Sequence, residues 1–208
     1  MTRRAARPDT APSFYVDADD PPAKRKILVT ALALFVRDGL CETSVRDIAT
    51  ASGFTNPALF KHFESKDHLA RFLFERCYLE LARLVETAVA SATTFRKQHR
   101  AVIDEYLDAL ERDSDSVLYV QDFLRHFWPS MPATVKRHSI IGEVRRMLTA
   151  GRAEGAVTSA IDMDLLTTAW IGTLQQLSRA KYFGEFKGQS VDDLATSLDA
   201  LLVRMVRP

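Results

Sequence analysis

Between Ser44 and Phe63 the chain reads SVRDIATASGFTNPALFKHF, two short apolar stripes at helical spacing separated by a single glycine. Val45, Ile48 and Ala49 make one face of the first stretch, and Leu59, Phe60 and Phe63 make an inward face of the second. Helices this short are marginal in water, so both must pack on a larger body. Gly53 is a natural stop for the first, and Thr55 is a cap for the second, with Pro57 tolerated in its first turn. Ala49, four residues before Gly53, lets the two helices cross closely, because a larger side chain there would hold them apart. This is a helix-turn-helix, in which the N-terminal end of the second helix points outward and its polar residues reach base edges.

The remaining chain is patterned as helix throughout. Asp20 ahead of Pro21 and Pro22 is a good helix start, and Ile27, Leu28, Ala31, Leu32, Leu34 and Phe35 then recur at helical spacing up to Gly39. Thr43 or Ser44 caps the second helix. Ser65 caps a long fourth, KDHLARFLFERCYLELARLVETAVA, with a core stripe of Leu69, Phe72, Leu73, Arg76, Leu79, Leu81 and Leu84. The stretch SATTFRKQHR breaks the pattern. AVIDEYLDALER then reads as a helix, DSDS as a loop and cap, and VLYVQDFLRHFW as a helix ended near Pro129 and Pro132. TVKRHSIIGEVRRMLTAGRAEG reads as one helix closed by Gly151 and Gly155. Asp162 caps the next and Ser190 the last.

Composition bounds the function classes. With 208 residues, 47% of them hydrophobic, the chain buries one good core and at most a small satellite domain. The longest apolar run, Ile27 to Val36, is too short to cross a bilayer, and the acidic, proline-bearing lead before it does not read as an export signal. Residues 1–20 lack periodicity and read as a flexible arm; Arg3, Arg4 and Arg7 could touch phosphates or a minor groove, or the arm is simply a solvated tail. Cys41 and Cys77 have no metal-type spacing, which favours a reduced cytoplasmic setting; a thiol switch is the alternative. The net charge of +1 carries no global nucleic-acid signature, so a DNA reading rests on local placement. No G-x-S-x-G, phosphate-binding loop, dinucleotide fingerprint or H-E-x-x-H occurs, and the five histidines never fall at i and i+4. No enzyme activity, metal site or cofactor is therefore predicted.

The stretch from Ile27 to Leu73, with ILVTALALFVRDGL, TSVRDIATASGFTNPALFKHF and SKDHL in that order, resembles the DNA-binding domain of the tetracycline-repressor (TetR) family of transcriptional regulators. The resemblance implies an all-α fold of about nine helices. It divides the chain into an arm (1–20), a three-helix helix-turn-helix DNA-binding domain (21–68), and a helical ligand-binding and dimerisation domain (69–208). It implies a homodimer on a double-stranded operator, released by a small-molecule inducer. It places Arg46, Thr55, Asn56, Pro57, Ala58, Lys61 and His62 toward the groove, and Lys66 on a phosphate. The chemistry agrees in part: Arg46 pairs bidentately with guanine, Asn56 with adenine, and Pro57 or Ala58 sits against a thymine methyl. Lys61, Lys66 and Ser44 position the backbone. Two residues depart from the family pattern: Phe60 stands where Tyr is usual, and Lys61 where an aromatic is common.

The last two helices carry seams of their own. Val191, Leu194, Leu198, Leu201, Leu202 and Met205 form one; Leu165, Leu166, Ala169, Gly172 and Leu177 form another with small residues in its middle. Gly172 costs about 1 kcal/mol relative to Ala inside a helix, which close backbone approach would offset. The resemblance makes the helices around 162–183 and 190–206 the dimer contact; an intramolecular pair is the other reading. Tyr106, Phe123, Phe127, Trp128, Met147 and Trp170, with Tyr119 and Met131, are the candidate lining for an apolar or aromatic ligand, and His126 or Gln175 could orient a polar group on it. The same residues also read as plain core. Besides the inducible repressor, two alternatives stand: an oxidation sensor using Cys41 and Cys77, and a helical small-molecule-binding protein that does not touch DNA.

Overall fold

The computed structural model describes residues 14–208, so Arg3, Arg4 and Arg7 lie outside the described residues. From Phe14 onward the chain is not a loose arm. Tyr15 is buried in the core, Phe14 packs beside it with the Arg112 guanidinium 5.3 Å from its ring centre, and Asp17 pairs with Arg76 at 2.6 Å. Two adjacent aromatics carry enough apolar area to hold a segment that has no helical period.

Helix α1 (Pro22–Asp38) begins without the expected side-chain cap. Asp20 turns inward instead, where its carboxylate accepts the Asp17 N–H at 3.0 Å and the Lys24 ammonium at 2.7 Å. Burial opposes its charge, but these bonds and Arg76 outweigh it and hold the carboxyl below its usual range. Helix α2 (Val45–Ser52) is capped by Ser44 and not by Thr43: Ser44 and Asp47 form a reciprocal capping box, while the buried Thr43 hydroxyl donates to the Gly39 carbonyl at 2.7 Å. Gly53, at φ +75, closes α2 in the left-handed conformation that glycine adopts without strain.

Helix α3 is shorter than its sequence pattern, Asn56–Phe60, and Lys61 and His62 turn away into the connection. Ser65 caps α4 (Lys66–Ala90) as predicted, accepting the His68 N–H at 3.0 Å.

Helix α5 (Phe95–Phe127) overturns two expectations. It starts inside the stretch read as a break, and DSDS is a one-residue kink at Asp113 (φ −151, ψ 67), not a loop. The capping role holds, since Asp113 accepts the Ser116 N–H at 3.2 Å. The start is hidden in sequence because its buried face, Phe95, His99 and Val102, includes a histidine, and because its cap is remote: the Glu154 carboxylate accepts the Phe95 N–H.

After a 3-10 turn (Trp128–Ser130), the helix expected over 134–155 is two, α6 (Ala133–Lys136) and α7 (Ile140–Ala153). Ser139 breaks the run by capping α7. Gly151 does not end α7 but lies within it, where a Cβ would stand 2.6 Å from the Phe95 ring; the stop is Gly155. Helices α8 (Met163–Tyr182) and α9 (Val191–Val206) take their predicted caps from Asp162 and Ser190. No strand occurs among the described residues, and no helix there is long and apolar enough to cross a membrane.

The packing forms two cores. One joins Tyr15, α1, Ile48, Leu59, Phe63 and most of α4 to the second half of α5; the other joins the end of α4 and the first half of α5 to α7, α8 and α9. Helices α4 and α5 run through both. Tyr119 binds the first together: its ring stacks 6.1 Å from Phe35, its hydroxyl donates to the Ala70 carbonyl at 3.0 Å, and burial pushes its phenol up.

Candidate DNA interface and ligand cavity

Ile48 and Ala49 of α2 and Leu59 of α3 are buried, which leaves the opposite faces to solvent. Arg46, Ser44, Thr55, Asn56, Pro57 and Lys61 are exposed, and Ala58 and His62 are half-buried at the edge. The predicted groove-facing residues are therefore exposed or half-buried, on the segments either side of the Gly53 turn. Ser44 spends its hydroxyl in the capping box, donating to Asp47 at 2.6 Å. Thr55 caps α3 through its backbone alone, so its side chain makes no cap bond.

Two placements depart from expectation. Phe60 faces solvent at 48% exposed, because α3 ends before its apolar positions can define one inward face, and only Leu59 and Phe63 point in. Lys66 is drawn inward: its ammonium donates to the carbonyls of Leu40 at 2.7 Å and Thr43 at 3.0 Å. Two of its three N–H groups thus tie the start of α4 to the turn before α2, which is a tether in place of the free phosphate contact expected of it.

A cavity of about 320 Å³ lies where the two cores meet. Tyr78, Leu81 and Leu84 of α4 wall one side, Val102, Tyr106 and Ala109 of α5 a second, and Trp170, Ile171 and Leu174 of α8 a third, with Ile140 and Val144 of α7. Of the predicted lining, Tyr106, Trp128 and Trp170 are there, and so is Gln175. Phe127 is core, tilted on Phe74 at 5.2 Å; Phe123 packs on Tyr119 at 4.8 Å; and Met147 is buried in the second core. Tyr119 and Met131 are core as well, and His126 is exposed. Tyr78 and Gln121 also line the cavity and were missed: Tyr78 stands outside the α4 stripe expected from the sequence, and no apolar pattern points to Gln121.

The polar groups on the wall form a chain. The Tyr106 hydroxyl donates to the Leu174 carbonyl and accepts from the Gln121 amide, each at 2.9 Å, and Ser178 donates to the Gln121 carbonyl at 3.0 Å. Burial pushes the Tyr106 phenol up to about 12, so it stays a neutral donor. Behind Trp170, His99 is buried with its Nδ1 3.0 Å from Asp199, which also holds Arg96. Burial lowers the His99 pKa against the pull of Asp199, which favours the neutral ring.

The thiols separate. Cys41 is exposed, whereas Cys77 is buried and desolvation pushes its thiol up, away from the thiolate a sensor needs. No cluster of three metal-type ligands occurs among the described residues.

Residues 27–72 match the family model described as bacterial regulatory proteins, tetR family. The chain is 28% identical over 171 residues to the HTH-type transcriptional repressor KstR2 of Rhodococcus jostii (strain RHA1), covering 74% of this chain and 81% of that protein. It is 28% identical over 113 residues to the HTH-type transcriptional activator FasR of Mycolicibacterium smegmatis, covering 53% and 51%. Among solved structures, the ketosteroid transcriptional regulator KstR2 of Mycobacterium tuberculosis superposes with a TM-score of 0.80 at 20% identity, over 93% of this chain and 99% of that one. The fatty acid degradation regulator FadR from Bacillus halodurans gives 0.71 at 17% identity, over 89% and 96%.

Proposed function

We propose that this chain, which belongs to the TetR family of bacterial regulatory proteins, is a dimeric repressor released from a palindromic operator by a largely apolar ligand. The observation that carries the reading is the position of the cavity: it lies at the seam of two cores, and α4, which crosses both, is tied at its start to the helix-turn-helix through Lys66. A ligand that fills the seam differently in two arrangements of α4 shifts their populations, and by linkage operator binding weakens ligand binding by the same factor. The chain acts by binding alone; the work is done by differential affinity.

The proposed dimer face uses the expected α8 seam but only the outer edge of the expected α9 seam. Leu194, Leu198 and Leu202 are buried in the chain's own second core and are spent there. Leu165 and Leu201, by contrast, are 62% and 56% exposed, and Ala169 lies open on α8. A Cβ on Gly172 would meet no atom within 4 Å, so the close approach that would offset its cost falls to a second copy. Presenting two recognition helices roughly 34–36 Å apart then explains a two-fold operator. The repressor sense is supported by the likeness to the repressor KstR2, though not by that to the activator FasR, and an apolar ligand by the likeness to a ketosteroid regulator and a fatty acid degradation regulator.

The contact assignment is tested by substitution. Arg46→Ala costs about 1–3 kcal/mol on the operator and relaxes base preference. Equal losses on operator and scrambled DNA would overturn base readout by Arg46. Lys66→Ala acts differently, because it cuts the tether: it lowers thermal stability and blunts release by ligand.

A further inference from the structure

Resting on the ligand reading above, we infer that the cavity selects an uncharged, mostly apolar compound carrying a carbonyl or hydroxyl, and that Glu105 excludes anions from it. Among the described residues the lining holds one formally charged side chain, Glu105 of α5, and neither lysine nor arginine. Glu105 makes no hydrogen bond or ion pair among the described residues. Arg83, whose charge it senses, is committed to Glu80 at 2.7 and 2.9 Å. A carboxylate or phosphate entering this space would lose its hydration, find no lysine or arginine among the described lining, and meet a like charge.

The neutral polar groups complete the selection. Gln175 lines the cavity, and its side-chain amide has no hydrogen-bond partner among the described residues, so it offers both a donor and an acceptor. Trp170, also in the lining, is buried, and its indole N–H has no partner among the described residues. Tyr106 and Gln121, in contrast, already bond to each other, to Leu174 and to Ser178, and so fix the wall. A carbonyl or hydroxyl on an apolar body satisfies Gln175 without bringing charge.

The molecule supplies its own reporter, because its two tryptophans, Trp128 and Trp170, both line the cavity. Titrating the full chain with decanol, decanoate and decylammonium at neutral pH, and following tryptophan fluorescence, separates the cases. Decanol is expected to bind roughly tenfold or more tighter than decanoate. Glu105→Gln is expected to narrow that ratio, which a purely structural role for Glu105 would not do. Decanoate binding as tightly as decanol would overturn the inference. So would a preference for decylammonium that Glu105→Gln abolishes, since the carboxylate would then be recruiting a cation. No response to any of the three would overturn the ligand reading itself.

Discussion

Phe63→Ala lowers the stability of the folded chain by about 3–5 kcal/mol and removes specific DNA binding with it. Phe63 is 2% exposed and closes the end of α3 onto α4, with its ring 5.5 Å from Phe72 and 5.9 Å from His68. Helix α3 has five residues and no side-chain cap, so its position depends on Leu59 and Phe63 and not on its own propensity. Removing the ring leaves a cavity under a segment with little else to hold it. Phe63→Leu, which keeps most of the volume, costs much less. Urea unfolding of the two variants measures the difference, and equal stability for Phe63→Ala and the parent chain would contradict the packing described.

Trp170→Ala costs a similar amount, about 3–5 kcal/mol, but its consequences fall on the other core. The side chain is fully buried, makes an edge contact with His99 at 5.7 Å, and forms part of the cavity wall. Because its indole N–H has no partner among the described residues, Trp170→Phe leaves no polar group of the chain stranded, and its loss stays well below that of the alanine variant. A phenylalanine variant as unstable as the alanine one would mean that the N–H has a partner after all. In either variant the cavity widens and an apolar probe loses wall contacts.

Much of the fold was legible because it is written in local chemistry. Ser65, Asp162 and Ser190 cap the helices they were expected to cap, and Ser44 proves to be the cap of the expected pair Thr43 or Ser44, since a capping side chain acts within three residues of its own position. Where the sequence misled, the deciding partner is remote. The start of α5 is capped by Glu154, and Lys66 is held by carbonyls of Leu40 and Thr43 that no spacing rule connects to it. Phe60 was misplaced because a helix of under two turns cannot define a face. The α9 seam was correctly read as apolar, but periodicity names a buried face without naming what buries it, and Leu194, Leu198 and Leu202 belong to the chain's own core.

The cavity was half-legible for a related reason. Tyr106, Trp128 and Trp170 line it, while Phe127 and Met147, of the same chemical kind, are packed solid. Residue type marks an apolar interior, and only the mismatch between two cores marks where that interior is left open. The helix-turn-helix surface was the most legible part, because Arg46, Asn56 and Lys61 are polar at positions where burial would be costly.

The most direct test of the central claim is selection of bound fragments from a random DNA pool by the purified chain, with the dimer confirmed on the selected site. The expected result is enrichment of one palindrome whose half-sites lie about 10–10.5 base pairs apart or a multiple of that, bound by two copies of the chain. Recovery of no common sequence, or of a site bound by a single copy, would contradict it.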